Sequence, residues 1–295
     1  MKHTCQSMVA VFVVAAAASA GTIRHDVADS NYTTLAAAFP SVGELLFSGS
    51  RCSGVLIDQE WVLTAAHCLD GGLAPSAYSF TVGGNTYIGS EVHVEPTWVD
   101  DLNDGNDIAL LRLSSGVINV TPATINTGMS EVGQVGTSVG FGRTGTGLTG
   151  DTLVSGTFRA GNNMVDSVFN SRILLADFDN PDNAADSAYG SSTPLGLEYN
   201  VAPGDSGGGL FADFGSGHVL IGITSFYGSF DGNTNADYGD VSGWTRVSSH
   251  VPFISATMSS TVPEPSSFAA IAVLAGAFLG ARRFRQRRNV TDSVV

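Results

Sequence analysis

The sequence predicts an all-β fold, and three observations carry that prediction. Short Val/Ile/Thr/Phe runs alternate with Gly, Asn and Asp, the pattern of many strands joined by tight turns. Helix surfaces are usually filled with Lys, Glu and Arg, yet the 295 residues include a single lysine, Lys2, and 14% charged residues. A hydrophobic content of 43% excludes intrinsic disorder, which requires few apolar residues and dense charge. The length corresponds to about two packing units of ~150 residues each.

Charge is distributed unevenly. The formal net charge is −14, but five of the 13 basic residues are Arg282, Arg283, Arg285, Arg287 and Arg288. Between residues 21 and 261 the seven arginines face 25 acids, so this body is near −18. Such a surface repels phosphate, which excludes nucleic acid as a partner.

Taken in chain order, residues 1–20 read as a signal peptide. Lys2 and His3 precede an apolar run from Met8 to Ala18, and Ala18-Ser19-Ala20 forms a small-x-small cleavage site. The mature chain then starts near Gly21, with an N-terminal segment over 21–35. Cys5 leaves with the signal peptide. Cys52 and Cys68 make an even count in an exported chain, so one disulfide between them is expected. No CxxC and no Cys/His cluster is present, so a structural zinc site has no support, and no metal or cofactor is expected.

Three short segments carry chemistry. In Trp61-Val62-Leu63-Thr64-Ala65-Ala66-His67-Cys68, an apolar strand runs into small residues and then a histidine. A lone histidine means little, but a disulfide at Cys68 would fix the backbone beside the ring, as a catalytic base requires. In the second segment, an acidic loop ends at Asp107, where the apolar run Ile108–Leu111 begins. Asp107 is therefore drawn inward, where a carboxylate must find donors, and a histidine Nδ1–H is one such donor. Asp100, Asp101 and Asp104 lie in the polar loop and read as solvated. The third segment is Val201-Ala202-Pro203-Gly204-Asp205-Ser206-Gly207-Gly208-Gly209-Leu210. Its glycines allow a tight backbone around Ser206 and leave room for a substrate. Apolar residues beyond it place the segment inside a folded unit.

In that order, Thr64-Ala65-Ala66-His67-Cys68, Asp107-Ile108-Ala109-Leu110 and Gly204-Asp205-Ser206-Gly207-Gly208 resemble the motifs of the chymotrypsin/trypsin family of serine proteases. Cys52-Ser53-Gly54, Gly140-Phe141-Gly142-Arg143 and Trp244-Thr245-Arg246-Val247 extend the resemblance over roughly residues 36–256. It implies two antiparallel Greek-key β-barrels, about 36–130 and 131–247, and a short helix through about Met258, a domain spanning 36–258. It also implies a serine endopeptidase acting on polypeptide substrates. Ser206 would be the nucleophile, His67 the general base, and Asp107 the group that holds the histidine tautomer. The backbone N–H groups of Gly204 and Ser206 would form the oxyanion hole, and Ser225 would line the substrate strand and contact Asp107. A catalytically silent, protease-like surface binding protein is the alternative, although silent relatives generally lose a triad member.

The sequence departs from the family pattern at several points. Gly209 replaces a proline at the motif edge, and Ala202 stands where a cysteine often braces the pocket. No Ile-Val-Gly-Gly activation sequence precedes the domain. In the family, a freshly cut terminus pairs with the aspartate matching Asp205. Candidates here are Gly21 after signal cleavage and His25 after a cut at Arg24. At the expected pocket floor stands Asn200 rather than a carboxylate, with Gly228 at the mouth and Ser242 on the wall. A neutral pocket of this kind implies uncharged side chains of medium size.

Two acidic stretches, 231–240 and 177–182, are reminiscent of calcium loops. In the first, Ala236 replaces the required glycine and no twelfth-position Glu follows, so both read as solvated turns. The tail, residues 259–295, contains Val262-Pro263-Glu264-Pro265, the apolar run Phe268–Ala281 and the arginine cluster. A helix of 14 residues spans only ~21 Å, short of a ~30 Å hydrocarbon core. The order and position of these parts resemble a PEP-CTERM sorting tail, which implies cutting by an exosortase, transient membrane association and a Gram-negative cell envelope. A plain membrane anchor is the simpler reading.

Overall fold

The computed structural model describes residues 21–153, 156–230 and 232–260. The chain forms two compact units, Met1–Val251 and Pro252–Val295. Both regions read as targeting segments, 1–20 and most of 259–295 including the apolar run, lie outside the described residues.

The first unit opens with strand β1 (Gly21–Ile23) and helix α1 (Asp29–Ala36). Six strands follow: β2 (Val42–Phe47), β3 (Ser50–Asp58), β4 (Trp61–Thr64), β5 (Ser79–Val82), β6 (Asn85–Val94) and β7 (Ala109–Leu113). They close into a barrel in the order β2-β3-β4-β7-β6-β5, with β7 inserted between β4 and β6. Closure removes exposed sheet edges and buries Leu45, Leu56, Leu63, Phe80 and Leu110 completely.

The second half contains β8 (Val135–Gly140), β9 (Thr144–Thr146), β10 (Gly150–Leu153), β11 (Arg159–Met164), β12 (Ser167–Phe169) and β13 (Ile173–Asp177). It continues through β14 (Tyr199–Asn200), β15 (Gly209–Asp213), β16 (His218–Gly228) and β17 (Val241–Arg246). The expected second closed barrel is observed instead as a seven-stranded sheet, β11-β8-β15-β16-β17-β13-β12, beside a four-stranded sheet, β10-β9-β1-β14. In the smaller sheet β9 and β14 pair with β1, and β10 pairs with β9.

That pairing was not foreseen for residues 21–35. Thr22 and Ile23 lie opposite Asn200 and Tyr199 on one side, and opposite Gly145 and Thr146 on the other. Ile23 and Tyr32 join Leu174, Tyr199, Leu210 and Trp244 in the core of this half. Burying an isoleucine side chain contributes about 1.5–3 kcal/mol. Helix α1 is fixed by its first-turn Asp29, which accepts from Arg159 Nε at 2.5 Å and from Nη2 at 2.6 Å. The final helix, α2, spans Val251–Ser260, two residues beyond the expected end.

Candidate active site

Strand β4 delivers its chain into a short 3-10 turn, Ala66–Cys68, which carries His67. The expected disulfide joins Cys68 to Cys52 on β3, with Cα atoms 6.4 Å apart. It pins the histidine turn to the barrel wall and contributes about 3 kcal/mol on the chain-entropy model. Because both sulfurs are bonded to each other, the close group Cys52, His67 and Cys68 offers no metal site.

Asp107 stands two residues before β7 and is fully buried. Its Oδ2 lies 2.8 Å from His67 Nδ1, and its Oδ1 accepts from the His67 backbone N–H at 3.0 Å. Ser225 Oγ on β16 donates to Oδ2 at 2.5 Å, and Thr245 Oγ1 on β17 donates to the Asp107 carbonyl at 2.9 Å. The carboxylate thus has the donors its burial demands, two of them from His67 and one from the other half of the molecule. Burial alone would lower the His67 pKa, but the hydrogen bond and charge of Asp107 outweigh it, and the net shift is upward. Asp100 and Asp101 are exposed and Asp104 is half-buried.

Ser206 sits in the loop between β14 and β15, half-buried. The loop is tied to the first barrel: Ser53 N donates to the Ser206 carbonyl at 2.7 Å and Ser53 Oγ to the Gly204 carbonyl at 3.0 Å. Gly207 makes this approach feasible. A Cβ there would come 2.0 Å from Thr64 Oγ1 and 2.3 Å from the Ser53 carbonyl oxygen, and its φ of +80° is costly for other residues. The N–H groups of Gly207 and Gly208 are used internally, on Thr224 O and Asp205 O. Among the described residues, no hydrogen bond is donated by the N–H groups of Gly204 or Ser206, which flank Asp205 in this loop.

A cavity of about 260 Å³ lies beside Ser206, lined by Leu102, Val201, Ala202, Pro203, Thr224, Ser225, Phe226 and Tyr227. Every lining side chain is uncharged. Of the expected substrate-binding residues, Ser225 is part of the wall, while Asn200, Ser242 and Gly228 are not. Asn200 and Ser242 are fully buried and bonded to each other, Ser242 Oγ donating to Asn200 Oδ1 and accepting from Val201 N at 3.0 Å. Gly228 is half-buried, and a Cβ there would meet nothing within 4 Å. Phe226 and Tyr227, which shape the wall, were not foreseen. Their position directly after Ser225 on one strand was the available signal.

The acidic turns differ from expectation. Asp177, Asp179 and Asn180 are buried rather than solvated. Asp177 Oδ2 accepts from Ser187 Oγ at 3.1 Å, from Tyr189 N at 2.9 Å and from Ala188 N. Asp240 is likewise buried and accepts from Asn235 N and Ala236 N. These carboxylates serve as acceptors for turn N–H groups, and that draws them inside. Burial, reinforced by the neighbouring carboxylates, pushes Asp179 up to about 7 and Glu198 up to about 9. Asp231 lies outside the described residues.

The family model described as Trypsin matches residues 30–254. Chymotrypsin-like elastase family member 1 of Bos taurus is 28% identical over 226 residues, covering 71% of this chain and 79% of the bovine protein. Complement C1s subcomponent of Sus scrofa is 33% identical over 123 residues, 35% of this chain. The match spans only 18% of that longer protein. With a family match over most of its length and a mostly β fold, the chain belongs to the trypsin family.

Proposed function

We propose that this chain is a secreted serine endopeptidase that cleaves polypeptides through an acyl-enzyme on Ser206. The observation that carries the reading is the buried Asp107 bonded to His67 Nδ1, which leaves Nε2 as the nitrogen able to accept a proton. Ser206 Oγ attacks the substrate carbonyl carbon while its proton passes to His67 Nε2. The oxyanion that forms accepts from the N–H groups of Gly204 and Ser206, each such donor being worth about 3 kcal/mol in the transition state. His67 then protonates the departing amine as the C–N bond breaks. A water molecule, deprotonated by the same imidazole, hydrolyses the ester. The uncharged cavity beside Ser206 favours an uncharged side chain of medium size preceding the cut, and Asn200 supplies no buried carboxylate to select Lys or Arg. A fluorophosphonate probe is expected to label the mature protein at Ser206, located by peptide mass. Absence of labelling would overturn the peptidase reading in favour of a silent binding protein.

The histidine also sets a pH dependence. Its pKa is raised above 6.5, so the acid limb of kcat/KM is expected to have its midpoint above pH 6.5. Activity is present above that limb and is lost as pH falls through it, because imidazolium cannot accept the Ser206 proton. A pH profile with its midpoint below 6.5 would contradict the Asp107–His67 coupling.

Location follows from the two ends of the chain. Residues 1–20 direct export, and the 259–295 tail directs the enzyme to a Gram-negative envelope, where an exosortase removes the arginine cluster and frees the acidic body. Among the described residues, no helix is long and apolar enough to cross a membrane. Mass analysis of the C-terminus of surface-extracted protein is expected to find an end near 263–265. An intact Val295 would favour the plain anchor.

A further inference from the structure

We propose that Arg143 is a specificity-determining residue whose guanidinium receives an acidic side chain of the substrate, one of the first three residues after the cut. The inference deepens the peptidase reading above and rests on it. Phe141–Arg143 continues the chain out of β8. The sheet order β8-β15-β16 places β8 and β16 on opposite sides of β15, the strand that the Ser206 loop enters. The loop itself is bonded on both sides in the same way. On one side Gly142 N donates to Asp205 Oδ1 at 2.8 Å and Arg143 N to the Pro203 carbonyl at 2.7 Å. On the other, Gly207 N donates to the Thr224 carbonyl and Thr224 N to the Gly208 carbonyl, both at 2.8 Å. The cavity that takes the side chain preceding the cut has its wall on the β16 side, at Thr224–Tyr227. A substrate seated there sends its leaving half toward Phe141–Arg143, and three extended residues reach about 10 Å. The segment that carries Arg143 is held firmly. Phe141 stacks on Phe158 with ring centroids 4.9 Å apart, and its N–H donates to Ser53 Oγ at 3.0 Å.

Seven arginines serve the acidic body, and six are committed. Arg24, Arg51, Arg112, Arg159 and Arg246 hydrogen-bond to carboxylates, and Arg172 to the Asn106 amide oxygen. Arg143 is the exception. Among the described residues its guanidinium donates no hydrogen bond, and its ion-pair partner Asp151 stands 3.6 Å away, beyond hydrogen-bond reach. The arginine side chain is 44% exposed against 14% for Asp151, so the fork is open to solvent. Burial keeps the Asp151 carboxyl above its ordinary range in spite of Arg143, as expected of a loose pairing. A guanidinium offers five N–H donors in a planar fork, and a second carboxylate can engage it through two parallel bonds. The field of the body opposes such a substrate, because seven arginines face 25 acids between residues 21 and 261 and an acidic peptide is repelled. A preference for acid after the cut therefore requires a local cation, and Arg143 is the arginine whose backbone is bonded to the Ser206 loop.

The test uses fluorogenic peptides with an uncharged residue of medium size before the cut, differing only in Glu against Gln at one position. That position is varied through the first three residues after the cut and, as a control, through those before it. The readout is the Glu/Gln ratio of kcat/KM for each enzyme, so any general loss of activity cancels. Wild type at low salt is expected to favour Glu by about fivefold at one position after the cut, and the ratio to fall toward one in about 0.5 M salt. Arg143→Gln is expected to bring the ratio to one or below, since only the repulsion remains, and Arg143→Glu to lower it further. A preference confined to positions before the cut, or one that survives in Arg143→Gln, overturns the inference. If neither variant melts cooperatively, the wild-type series decides: a Glu preference insensitive to salt, or Gln favoured at every position after the cut, overturns it. Fluorophosphonate labelling keeps the two readings apart. Wild type that neither labels nor cleaves overturns the peptidase reading and this inference with it. Labelled wild type that cleaves without preference overturns the Arg143 inference alone.

Discussion

Alanine at position 206 is expected to reduce kcat for peptide hydrolysis by about a millionfold. Without Oγ no acyl-enzyme can form, and what remains is the modest acceleration that binding and the two N–H donors provide. The fold should be indifferent to the change. The interactions that hold the Ser206 segment use its backbone, Ser53 N donating to Ser206 O from the first barrel and Gly207 N donating to Thr224 O on β16, and alanine keeps both. Steady-state hydrolysis of a peptide amide, read together with a thermal melt, separates the two effects. An unchanged melt with kcat within about tenfold of wild type would rule out Ser206 as nucleophile.

The second large effect is expected from Asp107→Asn, which should lower kcat by about ten thousandfold. Asparagine fills the same space, but an amide N–H turned toward His67 Nδ1 favours the tautomer that places the proton on Nε2. The base then has no lone pair to offer Ser206. The His67 backbone N–H, which donates to Oδ1, remains able to bond to the amide oxygen, and Ser225 Oγ, which faces the Oδ2 position, can rotate its hydroxyl to accept from the new amide N–H, so folding should persist. Because the fault is one of tautomer and orientation, raising the pH should not restore the rate. Michaelis parameters across the alkaline range check this, and a loss below about a hundredfold would show that Asp107 is not the orienting group.

Much of this site was legible because its chemistry is written in contiguous residues. A histidine beside a cysteine, an aspartate abutting an apolar run and a serine among glycines each carry their meaning within a few positions. What escaped notice depends on partners far away in sequence. Gly21–Ile23 is too short to announce itself as a strand, and becomes one because Thr144–Thr146 and Tyr199–Asn200 flank it. Tyr199 looks like an ordinary apolar-run residue until Asp205 is seen beneath its hydroxyl. The acidic stretches misled in the opposite direction. Composition favours solvent for Asp177 and Asp240, but turn N–H groups recruited them inward. Asn200 was expected at the floor of a pocket and Ser242 on its wall, and instead they bond to each other and line no part of the cavity beside Ser206.

The place of β1 in the four-stranded sheet also bears on how the chain comes to be folded. Synthesis is vectorial, and the first strand of the described chain must wait for the residues around Asn200 before its antiparallel partner exists. The first barrel draws all its strands from residues 42–113 and can assemble early, whereas Ile23 stays solvated until most of the remaining chain has emerged. Pairing across such a span is entropically slow and leaves an unpaired edge exposed in the meantime. The complete fold therefore arises late and as a unit, when the two ends of a long connection finally meet, and a truncated chain should be unable to assemble the proposed site.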